Sequence, residues 1–513
     1  MTSDKILMIA TIFVYLAGML WIGWMYARRT KNVGDFYLGG RTLDPLTTAM
    51  SAEASDMSSW LLLGVPGLAY ISGVADAAWT CIGLAVGTYL NWLIVARRIR
   101  AYTAHMNSIT IPDFFSRRFG DERNTLSCIA ALVIVVFFVP YTASGFAACG
   151  KLFSSLFGWN YAVSMLISAA VIVAYTTLGG FNAASTTDLI QSIVMTFALI
   201  LVFAFGISAA GGMDAVMENA RAMPGYLSFT QTHDVATGTA APYGFLNIVS
   251  MLAWGLGYFG MPHILLRFMA IEDPEKLKLS RRVASIWVVI SMTAALFIGI
   301  VGNAVSSVGL VERFTNTAQA ETITIRFAAL IAQHGWLAAI GGGLILAGIL
   351  AATMSTADSQ LLAAASSVSQ NLADEFLHIK MSPKRSMQVA RLSVISISVV
   401  GSIIALNPNS SVFNIVSFAW AGFGAAFGPV MLLGLFWRRA NKQGALAGMV
   451  SGGAMVFIWK FALRPLGGAW NIYELLPAFI VACAANVIVS LLTAAPDKAV
   501  TDTFDAVQKE LGG

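Results

Sequence analysis

Long apolar runs alternate with short charged connectors along almost the whole chain. With roughly 20 residues at about 1.5 Å rise needed to cross a hydrocarbon core of about 30 Å, thirteen runs qualify. They lie near residues 6–26, 45–68, 77–96, 125–149, 160–178, 187–210, 243–262, 283–307, 337–370, 389–407, 412–437, 444–463 and 473–494. The first is too long for a signal-peptide core and has no cleavage-like end, so it counts as a mature helix. The pattern predicts an all-α polytopic membrane protein with one transmembrane domain over 1–513. Its expected parts are a first helix and loop (1–44), two five-helix blocks (45–210 and 243–437), and two peripheral helices with a short tail (438–513). The longest connector, 211–242, is rich in Gly and Thr and reads as a loop with a short helix.

Two runs are interrupted. The second is polar over Ser51-Ala52-Glu53-Ala54-Ser55-Asp56-Met57-Ser58-Ser59-Trp60. A carboxylate in hydrocarbon costs roughly 2.5–3.5 kcal/mol even on lenient scales, so it should face a cavity or an ion. The seventh run carries Trp254-Gly255-Leu256-Gly257-Tyr258-Phe259-Gly260-Met261-Pro262-His263, whose glycines and proline discourage a continuous helix. Runs two and seven each open a block of five, an odd number, so the blocks enter from opposite faces as inverted repeats. Discontinuous helices at matching places in inverted halves point to a midplane substrate and ion site. The competing reading is Gly-mediated helix packing.

Composition excludes a soluble domain: 57% of residues are hydrophobic, 11% are charged, and the mean hydropathy is +0.74. The net charge of +5 does not call for nucleic acid, because the basic residues sit in connectors where they set topology. With the amino terminus outside, 24 of the 31 Lys and Arg residues fall on the inner side. These include Arg28, Arg29, Lys31 and Arg41 in the first inner connector and Arg267, Lys276, Lys278, Arg281 and Arg282 after the seventh run. Cys81, Cys128, Cys149 and Cys483 have neither zinc nor disulfide spacing and read as small packing residues. The five histidines show no ligand spacing or nucleophile partner, so no enzyme site is expected.

Glu53, Asp56, Met57 and Trp60 share one helical face by spacing. A carboxylate beside an indole suits a small cationic or zwitterionic solute; the plainer alternative is a buried carboxylate bonded to nearby backbone. In the ninth run Ala352, Ser355, Thr356 and Ser359 form another face, next to Asp358, and Asp188 heads the sixth run. Sodium prefers oxygen ligands, and a hydroxyl pair with carbonyls from a broken helix supplies them, which makes Ser355 and Thr356 candidate ligands. Simple helix packing is the alternative.

These residues resemble the sodium:solute symporter family, in its proline-transporting branch. The resemblance covers nearly the whole chain and rests on Leu38-Gly39-Gly40-Arg41, Ser55-Asp56-Met57-Ser58, Tyr175-Thr176-Thr177-Leu178-Gly179-Gly180-Phe181, Trp254-Gly255-Leu256-Gly257-Tyr258-Phe259-Gly260, Met354-Ser355-Thr356 and Ala419-Trp420-Ala421-Gly422-Phe423-Gly424-Ala425-Ala426-Phe427-Gly428-Pro429. It implies a LeuT-like core of inverted five-helix repeats with discontinuous helices 2 and 7. It places sodium among the carbonyls of Ala54, Met57 and Ala352 and the hydroxyls of Ser355 and Thr356. It gives ion coupling to Asp56, Ser58, Asp188 and Asp358, and the substrate pocket to Trp60, Tyr141, Ser144, Trp254, Tyr258 and Pro262. Arg41 resembles a coupling residue on the cytoplasmic side. Glu53 and Ser59 stand where glycines are expected, Met261 where a glutamine is usual, and Asp358 where a hydroxyl is common. Glu53 therefore raises the prospect of proton involvement or an altered ion site.

The resemblance implies uptake of L-proline coupled to Na+ by alternating access, one sodium per solute. The expected setting is the bacterial cytoplasmic (inner) membrane, with the amino terminus outside, the carboxyl terminus inside and a functional monomer. Other solutes remain open: a monocarboxylate, pantothenate or choline. A transporter-like sensor is disfavoured by the short tail, and a passive channel by the midplane site between broken helices.

Overall fold

The computed structural model describes residues 2–27 and 33–512; Arg28, Arg29 and Lys31, counted above as inner-side charges, lie outside the described residues. The described chain is helical apart from one antiparallel hairpin, β1 (Gln231–Asp234) with β2 (Thr239–Pro242), in the long connector. Helix α1 (Ser3–Ala27) is followed by α2 (Pro45–Ser59) and α3 (Val65–Ser72), the halves of the polar run. Next come α4 (Val74–His105), the short α5 (Ile111–Arg118), α6 (Thr125–Phe157) and α7 (Tyr161–Ala209). The second block has α8 (Phe245–Gly260), α9 (Pro262–Ala270), α10 (Leu277–Ser307), the short α11 (Ile323–Ala332), α12 (Trp336–Phe376), α13 (Pro383–Ile404) and α14 (Val412–Phe436). Helices α15 (Lys442–Leu466), α16 (Leu475–Leu492) and α17 (Lys498–Glu510) complete the chain.

Ten helices among the described residues are long and apolar enough to cross a membrane, and the α8–α9 pair, bent by 48°, makes an eleventh. The protein is a multi-pass integral membrane protein. Expecting thirteen crossings adds two helices that fall short by length and hydropathy: the α2–α3 pair and the apolar start of α7, Tyr161–Ala174. The first falls short because it is broken at Ser58 and polar from Thr47 through Ser59, a stretch that protein buries. Large apolar side chains that stay exposed, such as Phe13, Ile286, Leu392 and Leu491, sit on peripheral faces where lipid is the solvent.

Both predicted breaks are present. Asp44 caps α2, its Oδ1 accepting from the Leu46 and Thr47 amides at 2.9 and 3.1 Å. The helix then breaks at Ser58, with φ 48° and ψ −175°. Helix α8 tightens into 3₁₀ turns over Ala253–Gly260, ends in extended backbone at Met261, and Pro262 starts α9 as its first residue. The glycines here serve approach as much as breaking. A Cβ on Gly260 would meet the Phe423 carbonyl at 2.2 Å, and one on Gly257 would meet the Trp420 indole nitrogen at 2.0 Å. Helix α7 is likewise kinked at Gly180, where φ is 67°.

The connectors sort to two ends. At one end Arg41 donates to the carbonyls of Met269, Thr103 and Ser108 at 2.7, 2.9 and 2.9 Å. Arg97 pairs with Glu275 and Arg438 with Asp505 at the same end. At the opposite end Lys151 pairs with Glu321, and Arg326 with Glu312. Not every basic residue in the topology count is a surface anchor: Arg100, Arg118 and Arg267 are buried, and Arg267 is 1% exposed.

Candidate functional site

Helix α12 packs against α2, α6 and α7, and brings Ser355 and Thr356 to the α2 turn before the break. Ser355 Oγ donates to the Ala54 carbonyl at 2.8 Å and approaches the Ala352 carbonyl at 3.3 Å. Thr356 Oγ1 donates to the same Ala352 carbonyl at 3.1 Å. The Met57 carbonyl, at the break, accepts the Trp60 amide. All five residues are buried. The donor set is oxygen only and carries no formal charge of its own, which suits a hard monovalent cation. A cation seated among these oxygens would compete with the two hydroxyl protons for the same carbonyls.

Asp56, Met57, Trp60, Tyr141 and Trp254 line a small, nearly closed cavity next to this set, with Trp420 on its wall. Tyr258 donates to Asp56 Oδ2 at 2.5 Å, and Tyr141 donates to the Asp56 carbonyl at 3.2 Å. The indole N–H groups of Trp60 and Trp254 are buried without an acceptor among the described residues. Trp60, Trp254 and Phe413 stack at centroid distances of 5.4–5.8 Å. Glu321 receives the Phe413 amide at 3.0 Å, so this aromatic layer closes the cavity toward the Glu321 end.

The other predicted residues sit at varied distances from the cavity. Ser144 shares a small recess with Ser58, Tyr141 and Thr356. Tyr258 acts on the cavity through Asp56, and Pro262 is buried at the start of α9, off the cavity wall. Glu53 is not on the wall either. It turns to α4, where Trp92 Nε1 donates to its Oε1 at 3.0 Å. Spacing placed Glu53 and Trp60 on one face by treating the helix as continuous, and the Ser58 break removes that premise.

Toward the Arg41 end a buried ionic layer closes the cavity. Asp188 Oδ2 accepts from Ser51 Oγ at 2.6 Å and from Arg267 at 3.2 Å. Arg267 also donates to Ser51 Oγ at 3.0 Å and Ser359 Oγ at 2.5 Å. Ser359 in turn donates to Asp358 Oδ1 at 3.1 Å. Asp358 thus meets Arg267 through one hydroxyl. Sequence reading missed Arg267 because it lay at the edge of a basic connector; its signal was a charge inside the apolar helix Pro262–Ala270. Trp420 was visible only as part of a motif, and it supports Trp254 by donating to its carbonyl at 2.8 Å.

Comparison with known proteins extends this picture. The model described as Sodium:solute symporter family matches residues 36–452. The "Osmoregulated proline transporter OpuE" of Bacillus subtilis is 40% identical over 505 residues, 98% of each chain. The "Sodium/proline symporter" of Escherichia coli is 40% identical over 97% of this chain and 95% of its own. Among solved structures, a Na+-coupled sialic acid symporter in a substrate-bound outward-open state superposes with a TM-score of 0.77 at 19% identity, covering 96% of this chain and 99% of that one. Mhp1, a nucleobase-cation-symport-1 family transporter, gives 0.52 at 15% identity over 92% and 98%. The expected inverted-repeat transporter fold is therefore the fold of this chain.

Proposed function

The chain belongs to the sodium:solute symporter family, and from that membership we propose that it carries L-proline into the cell, driven by sodium and by alternating access. The observation that carries the reading is the adjacency of the Ser355/Thr356 oxygen set to a small cavity walled by Asp56, Trp60, Tyr141 and Trp254. The walls are drawn together in this structure, with room for little more than a water molecule, so the cavity must widen to take a solute. The two free indole N–H groups offer donors to a solute carboxylate, and the stacked rings suit a pyrrolidine face.

Sodium is the coupling ion. Bound between α2 and α12, it orders the backbone at the Ser58 break, and the solute cavity on the far side of that backbone gains affinity by linkage. Asp56 holds Tyr258 at the cavity wall, and so ties α2 to α8. With both cargoes bound, the aromatic layer under Phe413 stays closed while the Ser51, Asp188, Arg267 and Ser359 layer opens toward the Arg41 end. Ser58 sets the break, and Asp188 and Asp358 offer carboxylates on the ion's way out. Arg41 clamps three connectors at that end. The blocks 45–210 and 243–437 are the units that rock. The reaction is transport and has no covalent step. The protein sits in the bacterial inner membrane with its amino terminus outside and carboxyl terminus inside, and works as a monomer.

Equilibrium binding of labelled proline to purified protein tests the reading. Binding should strengthen with added sodium and be displaced by proline, and not by a monocarboxylate, pantothenate or choline. Displacement by one of those solutes in preference to proline would overturn the substrate.

A further inference from the structure

Glu53 and Asp56 stand one turn apart on α2, both buried, with exposures of 1% and 6%. Neither side chain bonds a Lys or Arg among the described residues. Glu53 Oε1 accepts only the Trp92 indole N–H, its Oε2 has no protein partner, and Asp56 accepts the neutral Tyr258 hydroxyl. The nearest guanidinium on the α8–α9 side, Arg267, is taken up by Ser51, Asp188, Ser359 and the His263 carbonyl.

The facing surface of α4 adds further buried polar groups. Thr88, Asn91 and Trp92 share one face by spacing. Asn91 Nδ2 donates to the Tyr258 carbonyl at 3.1 Å, which ties this face to the residue that holds Asp56. Asn91 Oδ1 is buried and has no partner among the described residues, and Thr88 Oγ1 faces the Tyr258 hydroxyl that holds Asp56. Helix α4 widens into a π turn over Asn91–Val95, a local change that recurs at functional sites. Three helices therefore converge with two carboxylates that meet no cation and two unpartnered oxygens, Glu53 Oε2 and Asn91 Oδ1.

Buried charges are paired with an opposite charge or a metal, because uncompensated burial is costly. A single proton on Glu53 removes its charge and supplies one donor, but leaves the Asp56 charge and the Asn91 oxygen unanswered. Water answers the oxygens but leaves the charge. A cation answers both, and an all-oxygen set selects a hard one. We propose that Glu53, with Asp56, Thr88 and Asn91, forms a second sodium site between α2 and α4, distinct from the set on α12. Only the identity of the ion rests on the symport reading, and the expected one sodium per solute becomes two.

The test is a count of radiolabelled sodium bound to the purified full-length protein, paired with sodium-driven proline uptake by the same preparation. Two ions per chain are expected, falling to one in Glu53→Gln, which keeps an acceptor for Trp92. A count of one in the unaltered protein, or an unchanged count of two in Glu53→Gln, overturns the second site. If Glu53→Gln does not fold, Asn91→Leu and the unaltered protein decide it in the same way. The two readings fail separately: two bound ions without proline uptake sinks the symport reading and keeps the site. Proline uptake with one bound ion sinks the site and keeps the symport.

Discussion

The Ser355 hydroxyl lies 2.8 Å from the Ala54 carbonyl and so joins α12 to α2 one turn before the Ser58 break. This contact between the two inverted blocks is the hinge point of the ion reading. Ser355→Ala removes the proposed cation ligand and the bond between α12 and α2 together. A hydrogen-bonding partner of a charged group contributes roughly 1.5–3 kcal/mol. The sodium concentration for half-maximal uptake should therefore rise about tenfold or more, with a smaller change in the maximal rate at saturating sodium. A sodium titration of uptake checks this.

Trp254→Phe keeps most of the stack with Trp60, Phe413 and Tyr473 but deletes an indole N–H that has no acceptor among the described residues. If that donor holds the solute carboxylate, the loss is again roughly 1.5–3 kcal/mol. The KM for proline should rise about tenfold or more, while thermal stability stays close to that of the unaltered protein. An unchanged KM would remove Trp254 from solute recognition.

Arg267→Met leaves Asp188 buried at 0% exposure without its cation. Breaking a buried pair from one side costs about 3–5 kcal/mol. The single variant should lose thermal stability clearly in detergent, and Arg267→Met with Asp188→Asn should recover much of it. Transport should not return with the stability, because the layer that closes the cavity then has no ion pair to open and re-form.

At the Arg41 end, the Arg438 guanidinium holds the exposed Asp505 carboxyl below the usual carboxylate range by hydrogen bonding and charge. A lowered folded value means the pair acts in full above the unfolded value of about 3.9 and is lost as pH falls through the depressed one. Docking of α17, whose Phe504 also lies under Arg118, should be independent of pH from neutral upward and loosen only in acid. Hydrogen exchange of the α17 amides against pH checks this, and Arg438→Gln should remove the acid transition. As both groups are exposed, the effect should be small.

The spans were legible because each is a long apolar run, and the break in α8 because glycine and proline announce it. The break in α2 has no such residue. It showed only through the polar cluster that needs protein around it, and that same polarity keeps this helix outside a count by hydropathy. The Ser/Thr face of α12 was readable because α12 is continuous there. The Glu53 environment was not, since it depends on Trp92, Asn91 and Thr88 of another helix, whose meeting with α2 no local spacing encodes. Arg267 was hidden for a similar reason: its partners Ser51, Asp188 and Ser359 come from three separate helices.

The most direct test is uptake of labelled proline into proteoliposomes with an imposed sodium gradient. An inward gradient should drive accumulation above equilibrium, and collapse of the gradient should release it. Asp56→Asn, which weakens the tie to Tyr258, should impair both. Proline entry that only equilibrates, at a rate indifferent to sodium, would contradict the account.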